Sequence, residues 1–296
     1  MPPRRAFQLK ISLGVLFVFL AYCAGRGSVR PWPALLLGLV LLVLLHRERL
    51  IRRFRRAVTA QHEAYRKGDY EGLLQAAEAL RISAAPAYLY FRGRALFELG
   101  RMEEAEACLA QSSQMEYDGH AMALYKDALG HVLMEEQRYD EAIACFESGI
   151  QHWPQRGGCH RGIAATLLRQ RGQPAEALRR ARRAVETDEA LKTVAAGVHD
   201  LELTEARDWN LGQSLAILAW AEALNSADIP EVEHMLAKAF SLCPETSVPV
   251  RAQVNYHAGR AYAALAKTEE SAIQFERAAT LDPNGNYGRL GKAAMT

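Results

Sequence analysis

Proline is scarce in this chain, 11 in 296 residues, and runs of β-branched residues are few. With few helix breakers and heavy use of Ala and Leu, the composition predicts an all-α protein. The five cysteines, Cys23, Cys108, Cys145, Cys159 and Cys243, include no C-x-x-C pair. Neither a zinc site nor a disulfide framework is signalled, and a reducing compartment fits. Cys108 and Cys145 fall on apolar helix faces, where a thiol packs as a small hydrophobe. There is no H-E-x-x-H, no G-x-S-x-G, no G-x-x-x-x-G-K-[ST] and no G-x-G-x-x-G after a strand. The nine histidines show no metal-ligand spacing, and Cys159-His160 is the only adjacent pair of potential ligands. The expectation is no enzyme, no cofactor and no metal.

Acidic residues are nearly absent from the first 56 positions, where eleven Lys or Arg stand against Glu48 alone. From Val58 onward 25 basic residues face 33 acidic ones, a balance that repels phosphate backbones and argues against nucleic-acid binding. Long apolar runs are also few. The two present, about 11–25 and 33–45, are each shorter than the roughly 20 residues of a comfortable span. They predict a two-helix membrane hairpin turning over Arg26 to Pro33, with Trp32 as an interfacial aromatic. Arg47, Arg49, Arg52, Arg53, Arg55 and Arg56 follow the second run, and Arg4, Arg5 and Lys10 precede the first. This bias puts both ends on the cytoplasmic side of a bacterial inner membrane. Leu50, Ile51, Phe54 and Val58 recur at helical spacing among those arginines, as in an amphipathic collar on an anionic leaflet. A cleaved secretory signal ending near Ala21 to Ala24 is the rival reading, disfavoured by the second apolar run so close behind it.

Beyond the basic stretch the chain repeats with a period in the mid-thirties. The clearest unit runs Leu129-Gly130, Leu133, Arg138-Tyr139-Asp140-Glu141-Ala142, Phe146, Gly149 and Pro154. The same frame fits Gly93, Leu96, Gly100, Ala105 and Leu109, then Leu168, Gly172, Glu176, Ala177 and Ala184. A further copy is Gly259, Tyr262, Phe275, Ala278 and Leu281-Asp282-Pro283, with Ser271 at the usual alanine position. Weaker units hold Gly68-Asp69-Tyr70 with Leu73, and Ala239 with Pro244. On these residues the chain resembles the tetratricopeptide-repeat family, which implies a solenoid of helical hairpins that serves as a protein-interaction surface. The boundaries expected are an anchor at 1–56, a first sub-array at 57–188, a helical insert at 189–207 and a second sub-array at 208–296.

The family geometry implies a concave groove lined by the first helix of each hairpin. The matching positions are His62, Tyr65, Tyr90, Arg94, Phe97, Asp127, His131, Met134, Thr166, Arg169, Tyr256 and Arg260, a mixture of aromatic and basic groups common at binding hot spots. Family members that clamp chaperone tails use asparagine and lysine in the groove, whereas Arg94, His131 and Thr166 stand here, which argues against that ligand. The expected function is a membrane-anchored scaffold that binds a protein partner. The alternative is a self-associating structural or envelope-assembly component, a homo-oligomer joined through an end hairpin. Asn284-Gly285-Asn286-Tyr287 reads as a turn that leaves only a short tail to cover that end.

Overall fold

The computed structural model describes residues 32–81, 85–114, 119–170, 172–194, 201–225 and 228–296. Among these are thirteen helices and no strand: α1 (Trp32–Lys67), α2 (Tyr70–Glu78), α3 (Ala85–Glu98), α4 (Met102–Gln114), α5 (Gly119–Glu135), α6 (Tyr139–His152), α7 (Gly157–Gln170), α8 (Pro174–Val194), α9 (Leu201–Leu224), α10 (Ile229–Leu242), α11 (Val248–Ala264), α12 (Thr268–Leu281) and α13 (Asn286–Met295). The chain divides into two units, Met1–Arg56 and Ala57–Thr296.

In the first unit, the expected apolar segment 11–25, positions 26–31 of the expected turn and the side chain of Trp32 lie outside the described residues, while positions 32 and 33 open α1. The second segment, 33–45, forms the start of α1. Among the described residues no helix is long and apolar enough to cross a membrane, so the predicted transmembrane hairpin is not found there. Arginines follow Leu45 too soon for one continuous apolar span, which is the physical reason.

In the second unit α3/α4, α5/α6, α7/α8, α9/α10 and α11/α12 pack as antiparallel pairs. Four helix ends close alike. Gly68, Gly100, Gln137 and Ala266 all adopt positive φ, between 58° and 78°. At each, that residue's N–H donates to the carbonyl three residues back, and the next N–H to the one five back, as in Gly100 to Phe97 and Arg101 to Leu96. This is the Schellman arrangement, which satisfies the last carbonyls and lets the chain turn at once into the next helix.

Close approach within a pair depends on a missing side chain. Gly93, Gly130 and Gly259 stand sixteen residues before Leu109, Phe146 and Phe275. A Cβ on any of the three would lie 2.6 Å from the nearest atom of its partner side chain. Phe146 is fully buried and also fills the space over Gly162, where a Cβ would come within 2.4 Å. Phe146 therefore packs α6 against both α5 and α7. Ala105, Ala142, Ala177 and Ala278 are fully buried at the small positions. Ser271 substitutes for alanine because its Oγ donates to the Gly259 carbonyl at 2.9 Å. Leu129 is buried, Tyr139 and Tyr262 are half-buried, and Pro154 and Pro283 are exposed just past α6 and α12. Gly172 is the exception, since a Cβ there would meet nothing within 4 Å.

Residues 189–194 complete α8 and 201–207 begin α9, so the insert expected at 189–207 lengthens two helices; positions 195–200 lie outside the described residues. α9 packs on α8 and on both α10 and α11, because every residue from Leu211 to Ala223 is buried. The tail after Pro283 is likewise more than a turn: α13 covers the last pair, with Gly291 so close that a Cβ would lie 2.7 Å from the Phe275 carbonyl.

Phe146→Ala is expected to lower unfolding free energy by about 3–5 kcal/mol in urea titration, and Gly130→Ala by about 1–3 kcal/mol through overpacking. Ala266→Gly should be neutral or stabilising by up to ~1 kcal/mol, because it relieves left-handed backbone at that turn.

Candidate functional site

Hairpin stacking leaves the first helix of each pair facing inward, and these helices line a cavity of about 250 Å³ that is open on one side. Its wall takes Gln61, His62 and Tyr65 from α1, and Tyr90, Phe91, Arg94, Phe97 and Glu98 from α3. Asp127, Ala128 and His131 come from α5, Arg161 from α7, Trp209, Asn210 and Gln213 from α9, Gln253 from α11 and Tyr287 from α13. Arg156, just before α7, completes the basic side.

Seven of the twelve expected groove residues meet here: His62, Tyr65, Tyr90, Arg94, Phe97, Asp127 and His131. Of these His62 is exposed, Tyr65, Arg94, Phe97 and His131 are half-buried, and Tyr90 and Asp127 are buried. The other five are elsewhere. Met134 and Thr166 are core, and Thr166 Oγ1 donates to the Gly162 carbonyl at 2.8 Å. Tyr256 is buried against Phe275 and Tyr287, with ring centroids 5.8 and 5.7 Å away. Arg169 pairs with Glu135 at 2.9 Å, and Arg260 lies over the Trp220 ring at 4.8 Å. Tight coiling explains the loss of these positions: a face that an open groove would display is covered by the next helix inward.

Spacing gave no hint of Glu98, Arg156, Arg161 or Tyr287. Arg156 donates to Asp127 Oδ2 at 2.6 Å. Burial opposes ionisation of Asp127, but Arg156, with His131 and Arg161, holds its carboxyl below the usual range. His131 is pushed down by burial despite Asp127 at 3.7 Å. Arg161 reaches Ser214 Oγ at 3.1 Å and Asp188 at 3.6 Å, tying α7, α8 and α9 together.

Around Glu98, hydrogen bonds join parts of the unit that are far apart in sequence. Tyr70 Oη donates to Asp282 Oδ2 at 2.6 Å, and the Asn286 backbone N–H to Glu98 Oε2 at 3.1 Å. Asn286 Nδ2 donates to Glu135 Oε1 at 3.0 Å, and Arg289 donates to the carbonyl of Glu98. These partners are 151 to 212 residues apart in sequence. Glu98 is the centre of this network. Burial raises its carboxyl from 4.5 to about 7, against the opposing pull of the Asn286 N–H and Arg94.

Cys159 and His160 do not converge on a metal. The Cys159 thiol packs against the Ala123 carbonyl at 3.9 Å, and burial depresses His160 to about 4. Among the described residues no three His, Cys, Asp or Glu side chains are grouped to hold an ion. Cys108, Cys145, Cys159 and Cys243 are free thiols, the first two half-buried; Cys23 lies outside the described residues.

With the fold and cavity established, comparison with known proteins identifies the repeat. Residues 86–118 and 252–284 match one tetratricopeptide-repeat model and residues 128–189 match another. These segments are tetratricopeptide repeats, in a solenoid built wholly of helices among the described residues. No curated protein matches the chain. Among solved structures it is similar to YrrB, described as a TPR protein with an unusual peptide-binding site, at 20% identity over 73% of this chain and 96% of that one, TM-score 0.34. It is also similar to the C-terminal part of a TPR repeat-containing protein from Cytophaga hutchinsonii, at 12% identity over 80% and 98% of the two chains, TM-score 0.37. A tetratricopeptide repeat protein from Parabacteroides merdae aligns at 14% identity over 82% and 98%, TM-score 0.36.

Glu98 sets a pH dependence. The folded protein keeps a proton that the unfolded chain loses above about 4.5, so Glu98's contribution to stability is full below that pH and disappears as pH rises through about 7. Asp188 and Asp282 are also raised by burial and act in the same sense. Glu98→Gln is expected to flatten this decline relative to the parent when melting is followed from pH 4.5 to 7.5.

Proposed function

We propose that this chain is a non-catalytic, membrane-anchored adaptor that holds a protein partner at the face onto which the cavity opens. Tetratricopeptide-repeat proteins generally mediate protein–protein interaction. The observation that carries the reading here is the convergence of His62, Tyr65, Arg94, Phe97 and His131 on one accessible cavity. Aromatic and basic groups of this kind contribute contact area with little rotamer loss and directional pairing to acidic groups.

Anchoring is supported by the first unit. Leu39, Val40, Leu42, Val43, Leu44 and Leu45 are each 47–67% exposed, so the apolar surface runs around the helix rather than along one stripe. A helix apolar all round is covered by protein or by lipid. The arginines from Arg47 to Arg56 then sit where anionic headgroups lie, and their excess favours the cytoplasmic side of a bacterial inner membrane. The self-association reading loses its main support, because α13 covers the end hairpin that would have been the contact.

Two measurements test the adaptor. A photoreactive residue at His62, the exposed member of the set, should capture a specific partner in cells, and that capture should fall at least about tenfold in Arg94→Glu. Capture of the chain alone, or of nothing above background, rejects the reading. In vesicle flotation the full chain should rise with anionic vesicles, and Leu42→Arg combined with Leu44→Arg should leave it in the soluble fraction.

A further inference from the structure

The interior of the second unit holds four arginines that differ in one respect. Arg156 has Asp127 at 2.6 Å, Arg169 has Glu135 at 2.9 Å and Arg161 has Asp188 at 3.6 Å. Arg94 has no carboxylate within ion-pair distance among the described residues. Its guanidinium carbon lies 4.6 Å from the Tyr65 ring centroid and 5.9 Å from that of Tyr90, on the cavity wall. The acid one turn along, Glu98, accepts from the Asn286 N–H and acts on Arg94 only from beyond ion-pair distance.

A second observation comes from the opposite helix. Gln61 is 1% exposed and lines the same cavity, yet neither its Oε1 nor its Nε2 has a hydrogen-bond partner. A buried amide left unpaired at both ends is costly, and such groups mark places where something else completes the bonding. Arg156 Nε, Arg161 Nε and Asp127 Oδ1 are unpaired as well. Water can satisfy those atoms but cannot neutralise Arg94.

Size then restricts the occupant. The cavity, about 250 Å³, is below the roughly 300–1,000 Å³ typical of pockets that enclose drug-sized ligands. Glu98 on its wall is already engaged by the Asn286 N–H, which leaves Arg94 as the charged group facing the space. Tyr65 and Tyr90 supply flat apolar walls beside the cation. We propose that this cavity is a binding site for a small organic carboxylate on a single-ring apolar body, its carboxylate paired to Arg94 and hydrogen-bonded by Gln61. The site goes beyond the adaptor reading: a metabolite of this class would fill the interior beneath the surface that meets a partner.

Calorimetric titration of the full chain in detergent, with phenylacetate and its neutral isostere phenylacetamide, tests the proposal. Phenylacetate should saturate in the millimolar range or tighter, and phenylacetamide should bind at least about tenfold more weakly, the loss of one charge-assisted pair. Arg94→Gln should weaken phenylacetate to the amide's level, Arg94→Lys should restore part of the difference, and Arg260→Gln, outside the cavity, should change nothing. Equal binding of acid and amide, no saturation where a millimolar complex would saturate, or an unchanged Arg94→Gln would overturn the site. The first two readouts use the parent protein, so they stand even if a variant misfolds. A peptide ending in phenylalanine that binds at least tenfold more tightly than phenylacetate would also overturn it, by giving the carboxylate to a polypeptide end. Partner capture at His62 with no phenylacetate binding removes this site and leaves the adaptor; the reverse pattern removes the adaptor and leaves the site.

Discussion

Everything in the second unit depends on pairs of helices approaching over a missing side chain. Phe146 shows the constraint most plainly, since its ring occupies the volume that a Cβ on Gly130 or Gly162 would need. That single contact fixes the spacing of α6 to its own partner and to the next pair. Leu109 over Gly93 and Phe275 over Gly259 repeat it along the chain. Once each pair is held this close, a hairpin cannot bury its remaining apolar face alone, and stacking on the next pair follows.

Stacking puts seven inward helix segments side by side, and the space they line carries charged and polar groups among aromatic and aliphatic ones. Buried polar groups are tolerated only when paired. Arg156 with Asp127, Arg169 with Glu135 and Arg161 with Asp188 and Ser214 satisfy this between helices that are distant in sequence. The same logic holds where Tyr70 meets Asp282 and Asn286 meets Glu98 and Glu135. Arg94 and Gln61 fall outside it, and they lie together at the cavity.

The hairpins were legible in the sequence because the residues that make them are local. Gly130 and Phe146, or Gly259 and Phe275, lie within one repeat, so their identity and spacing report the contact directly. The candidate site was legible only in part. Tyr65, Arg94 and His131 were found because inward positions recur with the repeat, whereas Tyr256 and Thr166 were misplaced because the array coils tightly enough to bury them. Glu98 and Tyr287 carried no signal, since their roles come from partners more than 150 residues away.

The sequence by itself determined the helical class, the repeat and its register, and the charge division at Arg56, all of which depend on periodicity and composition over short windows. Only the tertiary structure decided that α9 packs on α8, α10 and α11, that α13 covers the last hairpin and that Asn286 reaches back to Glu98. The physical reason is that the turn from one repeat to the next is set by summed packing contacts. A small change in that turn, multiplied over the array, decides whether the inner face is a broad groove or a narrow cavity.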